Sequence, residues 1–425
     1  MSEQRVMNRW LVVLGAILTQ LCLGAIYAWS VFTPTLKADP YNFTAAQTQW
    51  VFSVGLASFA LVMILAGRMQ AKFPPRNVAA LGGIILGLGY AAASFMGTSF
   101  IGHLICIGLV GGAGIGMAYV VPIAVGVKWF PDRKGMLTGL AVAGFGFGAL
   151  AWVKLAGTWG NLIETCGIAN VFLYYGIAFA VIVVIGSIWM VNPPEGYKPA
   201  GWEPPASAAG KSGGSIDVTS SEMLATPQFF LLWFMFIAGA MAGLMVIGCI
   251  KLFGIDALRS TGMEEEVASG CAGTAMAVFF ALANGLGRIG WGIASDKLGR
   301  KASLFLMLLT QGVVMLLFYQ MGFHVWLLYL GAALIGFNFG GNFALFPAAT
   351  ADYFGSKHVG PNYGWVFTAY GVGGIAGPLL GGYFQDAAKG GDPTAWITPF
   401  MIAGIACLVA AALALVLRVP KHHNS

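Results

Sequence analysis

Arg288 stands alone as the charged residue of the run Ala281 to Ser295. A guanidinium keeps its charge inside a protein, and its planar fork of donors matches the two oxygens of a carboxylate. Asn284 lies four residues earlier, on the same helical face. An amide there orients the arginine and adds a donor without cancelling the charge. Asn338 and Asn342 repeat the spacing, and hydrogen bonding between helices is the role expected of them. Eight residues beyond Arg288 begins Asp296-Lys297-Leu298-Gly299-Arg300-Lys301. An acid at a helix end facing basic residues can form a breakable latch, so Asp296, Lys297 and Arg300 are the expected gating set. Four aromatic residues, Tyr119, Phe145, Phe343 and Tyr370, are expected to shape a small apolar cage, with Tyr27 and Trp29 as weaker candidates. His103 is expected at an interface.

No catalytic constellation accompanies these residues. The six cysteines show no C-x-x-C spacing, and the G-x-G patterns lie within apolar runs rather than after strands. No catalytic residue, cofactor or metal site is expected, and an enzyme is not the reading.

The elements that must hold Arg288 are set by composition. The 425 residues are 58% hydrophobic and 9% charged, against about 25% charged in an average soluble domain. So few charges cannot clothe a water-facing surface, and the apolar excess is expected to face lipid. A spanning helix needs about 20 largely apolar residues. Twelve such runs occur, near 10–36, 47–69, 78–97, 100–127, 136–156, 168–192, 228–250, 267–294, 302–321, 325–351, 361–385 and 394–418. The first is read as a retained helix. The fold class expected is an all-α membrane protein of two six-helix bundles, 1–192 and 227–425, joined by a Pro- and Gly/Ser-rich linker, 193–226.

The bundles repeat at a fixed offset of 225 residues, from Gly67 to Gly292. At that offset Lys72 falls on Lys297, Pro122 on Pro347 and Phe145 on Tyr370. Parallel repeats of this kind place a substrate between halves near the bilayer midplane. Glycines spaced by four in the fourth, fifth, tenth and eleventh runs are expected to let helices approach closely.

Lysine and arginine give the orientation. With both termini cytoplasmic, sixteen of them fall inside and five outside, Arg288 completing the twenty-two. The net charge of +6 is therefore a topology signal in short loops, and no nucleic-acid partner is expected. Counting back from Asp296 at 1.5 Å per residue puts Arg288 about 12 Å into a hydrocarbon core about 30 Å thick. None of the sixteen acids falls at that depth. A mid-helix arginine costs at least about 2.5 kcal/mol on insertion scales, so a function must retain it, and the counterion expected is the substrate.

The segment Gly292 to Lys301 matches the G-x-x-x-D-[RK]-x-G-[RK]-[RK] loop of the major facilitator superfamily. The first-half copy, Gly67 to Arg76, has Ala71 in place of the acid and Pro74 in place of the glycine. Five longer runs narrow the likeness: Gly24 to Phe32, Trp129 to Gly135, Glu222 to Phe229, Gly287 to Gly292 and Asn338 to Pro347. Through them nearly the whole chain resembles the oxalate/formate antiporter family, relatives of the animal monocarboxylate transporters. The resemblance implies a major facilitator fold, a rocker-type cycle and a carboxylate bound by the arginine at the position of Arg288. Two departures matter. Tyr370 stands where the oxalate exchanger has a second cationic residue, a lysine, which favours a monoanion over a dianion. Asn284 stands where the animal transporters have an acid, and their first-helix lysine has no counterpart here.

The function expected is therefore secondary transport of a small monocarboxylate such as lactate, pyruvate or formate by alternating access, linked to protons. Anion exchange is the alternative, since an empty carrier with a buried cation should reorient reluctantly. A carboxylate sensor without transport is the reading from another class, and it lacks any sizeable signalling domain in the sequence. The partners expected are a small carboxylate, protons and the lipid of the cell membrane, around a monomeric multi-pass chain.

Overall fold

The computed structural model describes residues 7–157, 159–199, 201–202, 217–387 and 392–418. Part of the expected linker, 203–216, lies outside the described residues, as do Glu3, Arg5, Lys389 and Lys421 of the topology reading. Among the described residues all regular structure is helical, and twelve long helices follow the order of the apolar runs. They are α1 Arg9–Lys37, α2 Ala45–Met69, α3 Pro75–Ala93, α4 Phe100–Trp129, α5 Lys134–Ala156 and α6 Ile168–Ser187. Then come α7 Pro227–Ser260, α8 Glu265–Leu298, α9 Arg300–Met321, α10 Val325–Phe354, α11 Val359–Ala387 and α12 Pro393–Val416. Length and apolarity suffice to cross a membrane in eleven of them, all but α11, which is 29 residues long and glycine-rich.

Boundaries differ from the hydropathy reading where charge misleads it. α7 runs ten residues past the expected 250, through Lys251, Asp256 and Arg259. Its helical period continues there: Phe253, Ala257 and Leu258 are buried while Lys251 and Arg259 are exposed, so one face keeps the helix in the core. α6 instead stops five residues before the expected 192. Tighter turns follow, Ile188 N–H to Ile185 O at 3.2 Å and Met190 N–H to Ser187 O at 2.9 Å, ahead of Pro193 and Pro194, which cannot continue a helix.

Three helices depart from regular winding. α1 tightens to a 3-10 helix over Gly24–Val31. α4 widens to a π-helix over Leu104–Gly111, and α8 over Ala275–Phe280, four residues ahead of Asn284. Such segments re-aim the side chains that follow them.

The described residues divide into two compact units. The first comprises Met1–Met223 with Pro347–Trp365, and the second Leu224–Phe346 with Val366–Pro420. The first thus holds α1 to α6 together with the end of α10 and the start of α11. In it α3 packs on α4 and α6, α2 on α4, and α1 on α5. Trp152 Nε1 ties α5 to α1 by donating to Leu21 O at 2.8 Å, and Tyr175 Oη donates to Trp152 O at 2.6 Å. In the second unit α12 packs on α9 and α7. Trp396 Nε1 donates to Asp256 Oδ2 at 2.9 Å, beside a cluster of Phe253, Phe318 and Phe400.

Candidate substrate site

In the second unit Arg288 is fully buried on α8. Its Nε donates to Asn284 Oδ1 at 3.2 Å, one turn back on the same helix. The guanidinium carbon lies 4.2 Å from the ring centroid of Phe343 on α10. A cation over a ring face is worth about 2 kcal/mol or more where water is excluded. Phe343 in turn meets Tyr370 of α11 edge-on at 5.4 Å. The four second-unit residues expected from sequence are therefore neighbours. Their approach depends on Gly340, where an added Cβ would run into Asn284 O. Any larger residue would push α10 off α8 at the level of the arginine.

Phe367 packs 5.0 Å from Tyr370, and Phe236 of α7 stacks on Phe346 at 4.3 Å while also lying beside Tyr370. The sequence reading passed over Phe236 and Phe367, and no spacing signal separates them from ordinary core aromatics. Asn338 bridges three helices, accepting from Trp291 Nε1 on α8 and donating to Thr310 Oγ1 on α9, each at 3.1 Å. Asn342 instead donates to Phe339 O of its own helix at 3.1 Å.

In the first unit Tyr119 of α4 and Phe145 of α5 meet edge-on at 5.5 Å. Phe59 of α2 completes the group, 5.0 Å from Tyr119 and 6.2 Å from Phe145. Tyr27 touches Phe145 at 5.1 Å. Gly24 makes this possible, since a Cβ there would strike Phe145 O. Phe59 was missed, although the offset of 225 that pairs Phe145 with Tyr370 also pairs Phe59 with Asn284. Trp29 turns to a structural task, its Nε1 donating to Thr48 O at 2.9 Å. His103, near the start of α4, is buried among side chains. Its Nδ1 bonds Ser99 O at 2.8 Å, among the rings of Tyr41, Phe43 and Phe172.

At the end of α8, Arg300 Nη2 meets Asp296 Oδ1 at 2.9 Å, and Arg300 also donates to Ser295 Oγ. Gly299, at φ +85°, makes the turn that brings Arg300 back. Lys297 is exposed. The first-half loop, which has Ala71 for the acid, is held differently. Gly67 lies against Gly360 at the start of α11, where a Cβ would be 2.6 Å from Gly360 O. Lys134 Nζ at the start of α5 pairs with Asp352 Oδ1 near the end of α10 at 2.9 Å, over a buried patch of Ala124, Val127, Ala351 and Val359. Arg9 Nη1 pairs with Asp132 Oδ1 at 2.8 Å.

This helical architecture has a counterpart in known proteins. The family model of the Major Facilitator Superfamily matches residues 18–263 and 257–425. The chain belongs to the Major Facilitator Superfamily. It is 31% identical over 377 residues to an uncharacterized MFS-type transporter, YhjX, of Escherichia coli (strain K12), spanning 87% of this chain and 86% of that one. It is 29% identical over 412 residues to the oxalate:formate antiporter of Oxalobacter formigenes, spanning 96% and 91%. The fold is that of a crystal structure of the superfamily transporter FucP in the outward conformation, with a TM-score of 0.65 at 15% identity over 96% of this chain and 99% of that one. The chain is thus a multi-pass membrane transporter and not an enzyme.

Proposed function

We propose that this facilitator carries a small monocarboxylate of the lactate, pyruvate or formate type by alternating access. Arg288 anchors the carboxylate, Asn284 orients the guanidinium, and Phe343, Tyr370, Tyr119 and Phe145 shape the apolar surround. The observation that carries this reading is the fully buried guanidinium, steered by an amide at Nε and laid against an aromatic face. A permanent charge at such a place is costly, and the likeness to an antiporter named for two carboxylates supports a carboxylate as the anion that would justify it. Among the described residues Arg288 is the one fully buried charged side chain. A single cation balances a monoanion, and Tyr370 occupies the position where the resemblance places a second one.

The moving bodies in this reading are the six-helix halves 1–192 and 227–425, joined by 193–226, with both termini on the cytoplasmic side of the cell membrane. Asp296, Lys297 and Arg300 gate that side. Transport is linked to protons. The likeness to an exchanger favours a second mode, obligatory anion exchange. Proteoliposomes decide between them: a pH jump should drive labelled lactate into vesicles that contain no counter-anion, whereas exchange gives uptake only after preloading. Loss of uptake in Arg288→Ala, with thermal unfolding unchanged, is the outcome expected of either mode. Undiminished uptake in that variant refutes the carboxylate site.

A further inference from the structure

We propose that Trp291, Asn338 and Thr310 form a positioning relay that holds the Arg288 guanidinium on its aromatic seat and so sets how tightly the carrier binds its carboxylate. The inference rests on the carboxylate reading above and adds the residues that keep its anchor in place.

The relay lies wholly within the second unit, and its hydrogen bonds run in one direction. An indole N–H can only donate, so the partner of Trp291 Nε1 at 3.1 Å is the carboxamide oxygen of Asn338. Asn338 Nδ2 then donates to Thr310 Oγ1 at 3.1 Å, and the Thr310 hydroxyl donates to Leu306 O at 2.8 Å. Asn338 is buried and bonded at both ends. Thr310 is exposed on α9, where hydrocarbon offers no competing partner. Two residues further on, Gly312 lies against the backbone of α12, a Cβ there standing 2.9 Å from Gly404 O. The far end of the relay is therefore fixed to a packed pair of helices. At the near end the indole lies beside Phe337, ring to ring at 6.2 Å, and against Gly341, where an added Cβ would strike it.

Trp291 follows Arg288 by three residues on α8, so whatever fixes the rotation of one fixes the other. Glycine contacts let α8 and α10 approach, but close backbones can still slide. Directional bonds stop that motion. A side-chain tip stands about 6 Å from its helix axis, so a turn of about 10° would carry the guanidinium about 1 Å across the ring of Phe343, from which it lies 4.2 Å. A binding group works only when held to about 0.5 Å. The first half of the chain supplies the contrast. At the offset of 225, Met63 stands for Arg288, while Ala66, Ala113 and Ile85 stand for Trp291, Asn338 and Thr310. The half without the arginine lacks the relay as well.

The test is the concentration dependence of labelled lactate uptake by the full-length protein in proteoliposomes, read beside thermal unfolding. Trp291→Phe keeps a ring and removes the N–H, and Thr310→Val keeps the shape and removes the hydroxyl. Each should raise KM about three- to tenfold, the size of one hydrogen bond between membrane helices, with the maximal rate near that of wild type. Thr310→Ser, which restores the oxygen, should return KM to the wild-type value. The double variant should show the same rise as either single one, because the three residues act as one unit. A lowered unfolding temperature with KM unchanged in both single variants means packing alone and overturns the proposal. So does a double variant whose KM rises by the product of the two. Undiminished uptake in Arg288→Ala would remove the carboxylate site, and the relay's purpose with it, and is read in a separate variant.

Discussion

The two units carry equivalent scaffolding and unequal chemistry. At the offset of 225 residues, Phe59 corresponds to Asn284, Met63 to Arg288 and Phe145 to Tyr370. In the first unit these positions build an uncharged cluster, Phe59 against Tyr119 and Phe145, with Met63 buried. In the second unit the same places hold an amide and a guanidinium beneath Phe343. Repetition fixed the helices, and divergence at two helix-facing positions then confined the charge to one side.

The contrast can be broken most severely at Arg288. Arg288→Ala should abolish carboxylate uptake, because charge-assisted hydrogen bonds contribute about 1.5–3 kcal/mol each and two of them amount to about 10²-fold or more. Arg288→Lys should fail nearly as badly in the same uptake assay, since a point charge cannot reproduce a forked pair. The contrast can be sharpened at Tyr370. Tyr370→Lys adds a second cation beside Phe343 and should shift preference from formate to oxalate, read as a reversal of their order in competition. Asn284→Asp should convert the amide into an internal rival for the guanidinium. Uptake should then fall at neutral pH and recover as the pH drops and the new carboxyl takes up a proton, measured as an uptake–pH profile against wild type.

A smaller effect is expected where the first unit closes. Lys134→Ala or Asp352→Ala removes a half-exposed pair over the Ala124 and Val359 patch. The cost in stability should be about 1 kcal/mol or less. A cysteine pair at these positions should cross-link in only part of the transport cycle, and the charge-swapped double variant should restore the wild-type pattern.

Much of this was legible along the chain, for identifiable reasons. Arg288 and Asn284 were found because a spacing of four is a property of one helix, and their bond of 3.2 Å needs no other element. Gly299 could be read from the loop motif, and it takes the positive φ expected of such a turn. Phe343 and Tyr370 could be named from the repeat, but their packing around the arginine depends on Gly340 admitting α10 to α8. The surroundings of His103 were not legible because its rings come from residues 41, 43 and 172, far from it in sequence. The end of α7 was missed because a hydropathy window stops at Lys251, whereas the helix is held by the buried face of Phe253 and Leu258.

Composition, twelve apolar runs, the 225-residue repeat and an arginine inside the eighth run were determined by the amino-acid order itself. These are local or periodic quantities, and solvent transfer and helical geometry act on them directly. The pairing of Lys134 with Asp352, the anchoring of Gln20 on Tyr119 and the seating of a guanidinium on Phe343 were decided only by the tertiary structure. Each joins residues from different helices, and which helix faces meet is settled by side-chain volume and missing Cβ atoms across the whole unit rather than by any one segment.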